Sequence, residues 1–137
     1  MKFISPEKIN SMALIRTMPY PGFPTDAQAP VMAAAAKCQG TTIFVENIFE
    51  NRYKHVDGLT RLGANINVQG KVAIVNGVKA LYGATVEAQD LRGAASLVVA
   101  GLCAEGKTDM GGVCYLERGY EDLELVLSSL GAHVKKI

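Results

Sequence analysis

Three arginines and an aspartate carry the chemistry that this sequence offers. Arg52 in "IFENRYKHVDGL" and Arg118 in "ERGYEDLELVLSSLG" stand where the pattern opens a helix, and Arg92 stands in the first turn of the helix that Asp90 begins in "DLRGAASLVVAGL". A cation at a helix N-terminus opposes the backbone dipole, at a cost of a few tenths to about 1 kcal/mol. The free N–H groups at that end favour anions. A shared anion would account for all three arginines, because guanidinium is a planar, permanently charged fork that suits carboxylate or phosphate. Pairing with nearby acids would account for them equally well: Arg52 with Glu50, Arg92 with Asp90, Arg118 with Glu117 or Glu121. Asp26, behind the Pro-rich "PYPGFP", also has two readings, an ordinary helix cap or a carboxylate held for acid–base work.

Other chemistries lack their residues. There is no Walker loop, no G-x-G-x-x-G, no H-E-x-x-H and no nucleophile elbow. His55 and His133 stand alone, so neither a metal site nor a Ser/His triad is expected, and His55 reads as a helix-surface residue. Cys38, Cys103 and Cys114 are odd in number and lack C-x-x-C spacing, which fits a reducing cytoplasm and buried thiols rather than disulfides or zinc. Fourteen basic against thirteen acidic residues give net charge +1, with no basic field for nucleic acid and no polybasic tail for a membrane. The aromatic residues are scattered and make no stacking platform.

The elements that must position these residues follow from periodicity and punctuation. "TDAQAPVMAAAAKCQG" predicts an Ala-rich helix with Thr25 and Gln28 at capping-box spacing and Gly40 as its stop, wrinkled near residue 26 by Pro30. "TTIFVENI" (41–48) predicts a strand, "NRYKHVDGLTRLG" a helix, and "ANINVQGKVAIVNG" a hairpin about Gly70-Lys71. The order then recurs. "ATVEA" predicts a strand, and "DLRGAASLVVAGLCAEG" a helix with Leu91, Ala94, Ala95, Val98 and Leu102 on one face. "KTDMGGVCYL" predicts a strand, "ERGYEDLELVLSSLG" a helix and "AHVKKI" a last strand.

Asp26 matches Asp90, Gly40 matches Gly106, Arg52 matches Arg118, and Leu62-Gly63-Ala64 matches Leu130-Gly131-Ala132, an internal repeat of helix, strand, helix, strand. The expected organisation is an N-terminal strand and Pro-rich loop over 1–24, a first unit over 25–82 and a second over 83–137. An apolar fraction of 49% over 137 residues can build a core. Each unit buries its apolar face only against a neighbour, so self-association or a larger pseudo-symmetric domain would complete the set. The N-terminus has no long apolar run and no stretch nears the ~20 apolar residues of a membrane span, so no signal peptide and no membrane partner are expected.

The segments "PYPGFPTDAQA", "IFENRYKHV", "DLRGAASLVVAGL" and "ERGYEDLELVLSSLGAHV" closely resemble, in order, the C-terminal part of the bacterial UDP-N-acetylglucosamine 1-carboxyvinyltransferases, members of the enolpyruvyl transferase family. The resemblance implies an α/β fold in which the two helix-strand-helix-strand units are the last two of three in an inside-out α/β barrel domain. It implies transfer of the enolpyruvyl group of phosphoenolpyruvate to the 3-hydroxyl of UDP-N-acetylglucosamine, with release of phosphate, as the first committed step of cytoplasmic peptidoglycan synthesis. No cofactor and no metal are implied.

By the same resemblance Asp26 is the aspartate beside the 3-hydroxyl, acting as general base, and Ile48 offers a backbone contact to the UDP-sugar. Arg52, Arg92 and Arg118 surround the carboxylate and phosphate of phosphoenolpyruvate, and Asp90 is a positioning partner of that cluster. Tyr115, Glu117 and Pro30 depart from the family pattern, which commonly has His, Asp and a helix-compatible residue there. The family's N-terminal Lys-Asn pair and its mobile loop with a proton-donating Cys have no counterpart in these residues, so the isolated chain is expected to be inactive without the remainder of the enzyme. Two alternatives are a non-catalytic, self-associating domain of this fold and the shikimate-pathway enolpyruvyl transferase.

Overall fold

A computed structural model describes residues 8–137. In chain order the elements are β1 (Leu14–Arg16), α1 (Thr25–Ala35), β2 (Thr41–Val45), α2 (Val56–Arg61), β3 (Asn65–Gln69), β4 (Val72–Asn76), β5 (Leu81–Tyr82), β6 (Thr85–Glu87), α3 (Leu91–Leu102), β7 (Ala104–Glu105), β8 (Asp109–Gly111), α4 (Val113–Glu117) and α5 (Leu123–Ser129). A four-stranded sheet in the order β1-β2-β4-β3 has one parallel pair, β1 with β2, and is otherwise antiparallel. β5 pairs with β7 and β6 with β8, both in parallel. The α/β class is as the sequence predicts.

Alternation builds the main sheet. Thr42 and Phe44 of β2 and Ala73 and Val75 of β4 point into the core, while the residues between them face outward. The 65–76 hairpin turns at Gly70, whose φ of +57° suits a residue without Cβ. Helix α1 lies against this sheet, and α3 packs on α1. The buried residues of both helices are mostly small, Ala29, Ala33 and Ala35 in α1 and Gly93, Ala94 and Ala100 in α3, with Met32 and Leu97 as the large buried side chains. Met32 and Leu97 are almost wholly buried, together with Leu59, Leu62 and Leu81.

Several sequence expectations give way to tertiary structure. In α3 the expected Ala94 and Ala95 are buried, but Leu91 and Val98 are only half-buried and Leu102 is exposed, while Gly93, Ser96, Leu97 and Ala100 join the buried side. Helix α1 runs unbroken through Pro30, whose missing N–H deprives only the Asp26 carbonyl of a helical donor. The Thr25–Gln28 capping box does not form: Pro24 occupies the N-cap, and the Thr25 hydroxyl donates to Glu46 instead. "VCYL" is the helix α4, not the end of a strand. "AHVKKI" is irregular rather than a strand, and among the described residues no strand pairs with it.

The paired glycines of the repeat share backbone geometry. Gly40 and Gly106 have φ of +101° and +91°, and Gly63 and Gly131 both have +93°. Gly63 and Gly131 each end a helix through the left-handed region, whereas Gly40 precedes β2 and Gly106 follows β7. Among the described residues no helix is long and apolar enough to cross a membrane.

Candidate functional site

The site assembles from the start of α1, the loop between β2 and α2, and the start of α3. Asp26 is the second residue of α1, where its carboxylate is free of capping duty and favoured by the helix dipole. Asp90 is the N-cap of α3; its carboxylate accepts from the Gly93 amide at 2.7 Å and so fixes the first turn that carries Arg92. Arg52 does not open a helix, because α2 begins only at Val56; it lies in the preceding loop, stacked over the Phe49 ring at 5.0 Å.

Those three segments converge on one carboxylate. Arg52 donates to Asp26 Oδ1 at 2.8 Å and Arg92 to Asp26 Oδ2 at 2.9 Å. Arg92 also reaches the Tyr120 hydroxyl at 3.4 Å. None of the local acid pairings forms: Glu50 pairs with Lys71, Asp90 caps its helix, and Glu117 pairs with Lys136. The hydrogen bond from Arg92, with lesser help from the charges of both arginines, holds the Asp26 carboxyl below its usual range. Arg52 and Arg92 are mostly buried, whereas Asp26 is 58% exposed, so the cluster faces outward through its acid. Arg52 Nε is buried and has no acceptor among the described residues.

Asp26 and Ile48 line one open cleft of about 340 Å³, with Met18, Tyr20 and Pro24 among its other walls. Ile48 is 40% exposed, and its amide is turned inward to Glu46. Arg118 is not part of the Asp26 cluster. It is the exposed C-cap of α4 rather than the start of a helix, and among the described residues it has no ion-pair partner. Its neighbours nonetheless dock at the start of α3: a Cβ at Gly119 would meet the Leu91 side chain at 2.8 Å, and Tyr120 touches Arg92.

Two polar side chains are buried where the sequence did not mark a buried group. His55 is buried at 4% exposure, not on a helix surface, because it packs against Gly93 at the start of α3. Burial drives its pKa down to about 4, against a smaller upward pull from Asp90. The neutral imidazole is therefore the folded form, and the unfolded chain binds the extra proton between about pH 6.5 and 4. His55 should accordingly cost stability as pH falls through that window, about 2–3 kcal/mol by pH 4.5. Urea unfolding at pH 7 and 4.5 should show that loss, and His55→Gln should remove most of the pH dependence in this window; an unchanged dependence would refute the assignment.

Glu46 is the other group, and it was not singled out by sequence. It is buried at 1% exposure and continues the inward parity of Thr42 and Phe44 beyond β2, a signal that the strand pattern contained. Of the cysteines only Cys38 is buried; Cys103 and Cys114 are exposed. Among the described residues no group of three His, Cys, Asp or Glu is placed to hold a metal.

Comparison with known proteins shows the family to which the chain belongs. The chain is 53% identical over 132 residues to the UDP-N-acetylglucosamine 1-carboxyvinyltransferase of Myxococcus xanthus, covering 96% of this chain and 31% of that protein. It is 56% identical over 120 residues to the protein of the same name from Desulfofundulus thermocisternus, covering 88% of this chain and 49% of that one. The chain thus spans about a third to a half of the length of these relatives. The crystal structure of the enolpyruvyl transferase NikO from Streptomyces tendae superposes on 94% of this chain and 30% of its own, with a TM-score of 0.85 at 30% identity. The model of the EPSP synthase (3-phosphoshikimate 1-carboxyvinyltransferase) family matches residues 3–127, and the chain belongs to that family of enolpyruvyl transferases.

Proposed function

We propose that this chain is the C-terminal part of a UDP-N-acetylglucosamine 1-carboxyvinyltransferase, carrying the general base, part of the anion clamp and part of the UDP-sugar wall. In this reading residues 25–82 and 83–137 are successive repeat units of one transferase domain, working in the cytoplasm at the first committed step of peptidoglycan synthesis. The observation that carries it is the Asp26 carboxylate held by both Arg52 and Arg92 at the rim of a cleft that Ile48 also lines. About 50% identity to proteins of that name supports the choice of substrate.

The chemistry follows from the cluster. Phosphoenolpyruvate brings a carboxylate and a phosphate, and Arg52 and Arg92 offer guanidinium donors in a partly dry setting where each charge-assisted bond is strong. The anion shares those donors with Asp26. Asp26 then loses part of the stabilisation that keeps its pKa low, and becomes a better base for the sugar 3-hydroxyl. As the hydroxyl oxygen bonds to C2 of the enolpyruvyl group, its proton passes toward Asp26 and the methylene carbon takes a proton from the remainder of the enzyme. Loss of a proton from the resulting methyl group then restores the double bond as the C2–O bond to phosphate breaks and phosphate leaves. Arg118, beside the docked Gly119 and Tyr120, would complete the clamp from the second unit. Asp90 serves by capping α3 beneath Arg92. The exposed Leu125, Val126 and Leu130 around α5 support the view that further protein covers this face.

A coupled phosphate-release assay tests the reading. The isolated chain should not turn over, and joining it to the remainder of the Myxococcus xanthus relative should give an active transferase. Full activity of the isolated chain, or an inactive but folded chimera, would overturn it.

A further inference from the structure

We propose that Glu46 is a positioning residue for the transfer, its two carboxylate oxygens separately fixing the helix start that carries Asp26 and the loop that carries Ile48. This rests on the function proposed above. Oε2 accepts from the Thr25 hydroxyl at 3.0 Å, one residue before Asp26. Oε1 accepts from the Thr17 hydroxyl at 2.9 Å and from the amides of Ile48 and Phe49 at 2.8 and 3.1 Å. Thr17 closes the arrangement by accepting from the Asn47 amide at 2.9 Å, while its carbonyl accepts from the Asn47 side chain at 3.2 Å.

Three chain segments therefore meet at one buried ion: the end of β1, the start of α1 and the turn after β2. These are the segments that wall the cleft through Met18, Asp26 and Ile48. A buried carboxylate is expensive to desolvate, and Glu46 has no cationic partner among the described residues. Four donors on two oxygens satisfy it instead. Phe49, held by Oε1, is the ring on which Arg52 stacks, so the same anchor also sets one arm of the arginine pair. An apolar side chain at 46 would fill the space but leave Thr25 and the Ile48 and Phe49 amides without this acceptor, with the Thr17–Asn47 hydrogen bonds remaining.

The two oxygens predict separable effects in the chimeric full-length enzyme. Thr25→Val keeps the side-chain shape and releases only the Oε2 link, so kcat should fall by up to about 10²-fold, the scale of a misplaced catalytic group, with little change in KM for UDP-N-acetylglucosamine. Thr17→Val weakens the Oε1 side and should mainly raise that KM. Glu46→Ala should combine both losses. Glu46→Gln can keep its oxygen under the three Oε1 donors and turn its amide nitrogen to Thr25, so it should recover most of the activity.

Hydrogen exchange in the 137-residue chain gives a readout that needs no turnover. The Ile48 and Phe49 amides should be protected, and Glu46→Ala should abolish that protection. If Glu46→Ala does not fold, the shape-preserving Thr25→Val and Thr17→Val variants still decide. Equal effects of these two on kcat and KM, or unprotected amides in the parent chain, would overturn the positioning role. An inactive parent enzyme with protected amides would instead overturn the transfer reading on which the role depends.

Discussion

Asp26→Asn in the full-length enzyme carrying this segment is expected to lower kcat by about 10²–10⁴-fold, the range for loss of a general base. Asparagine keeps the shape and one oxygen acceptor but cannot take a proton from a hydroxyl. The substitution also removes the charge that Arg52 and Arg92 share. That loss should have little effect on the fold, since Asp26 is largely exposed and exposed ion pairs contribute only about 0–1 kcal/mol. A large fall in kcat with a nearly unchanged thermal midpoint is the expected pair of results, read from steady-state kinetics and differential scanning calorimetry. A comparable fall in stability, with kcat preserved in the folded fraction, would make Asp26 a structural anchor for the arginines.

Arg92→Ala should weaken the use of phosphoenolpyruvate far more than the binding of UDP-N-acetylglucosamine. Arg92 enters the cluster from the capped start of α3 and is fixed by Asp26 on one side and Tyr120 on the other. A lost hydrogen bond to a charged group is worth about 1.5–3 kcal/mol, or roughly 10- to 150-fold in kcat/KM for the anion. Arg92→Lys should restore the charge without restoring the rate, because an ammonium cannot reproduce the planar fork. Equal losses for the two substrates would assign Arg92 to folding. The comparison is made by varying each substrate at a saturating level of the other.

The local parts of this site were legible and the long-range parts were not. Asp90 as the cap of the "DLR" helix and the hairpin about Gly70 follow from patterns a few residues long, and both form. The salt bridges do not follow from such patterns. Asp26 lies far along the chain from Arg52 and Arg92, so the sequence offered only a shared anion or pairing with adjacent acids, whereas folding gave both arginines to Asp26. The oddity of Arg52 at a helix start disappears because Arg52 is in a loop; its proximity to Arg92 survives for a different reason, the packing of α1 on α3.

His55 and Glu46 were hidden by the same limitation. His55 lies four and seven residues before Leu59 and Leu62, so helical spacing puts it on their side of α2, and the approach of α3 at Gly93 is what covers it there. Glu46 is the next inward position after Phe44, and a carboxylate on a buried parity is easily dismissed as the end of a strand. It becomes intelligible only when Thr17 and Thr25, remote in sequence, arrive as donors. In both cases the periodicity is sound and the missing information is which distant segment covers the residue.

Substrate discrimination by the full-length enzyme carrying this segment tests the central claim most directly. Phosphate release from phosphoenolpyruvate should be supported by UDP-N-acetylglucosamine and not by shikimate 3-phosphate, and the Asp26→Asn form should lose that release while still binding the UDP-sugar in a calorimetric titration. Turnover with shikimate 3-phosphate in place of UDP-N-acetylglucosamine, or full turnover without the Asp26 carboxylate, would contradict the account.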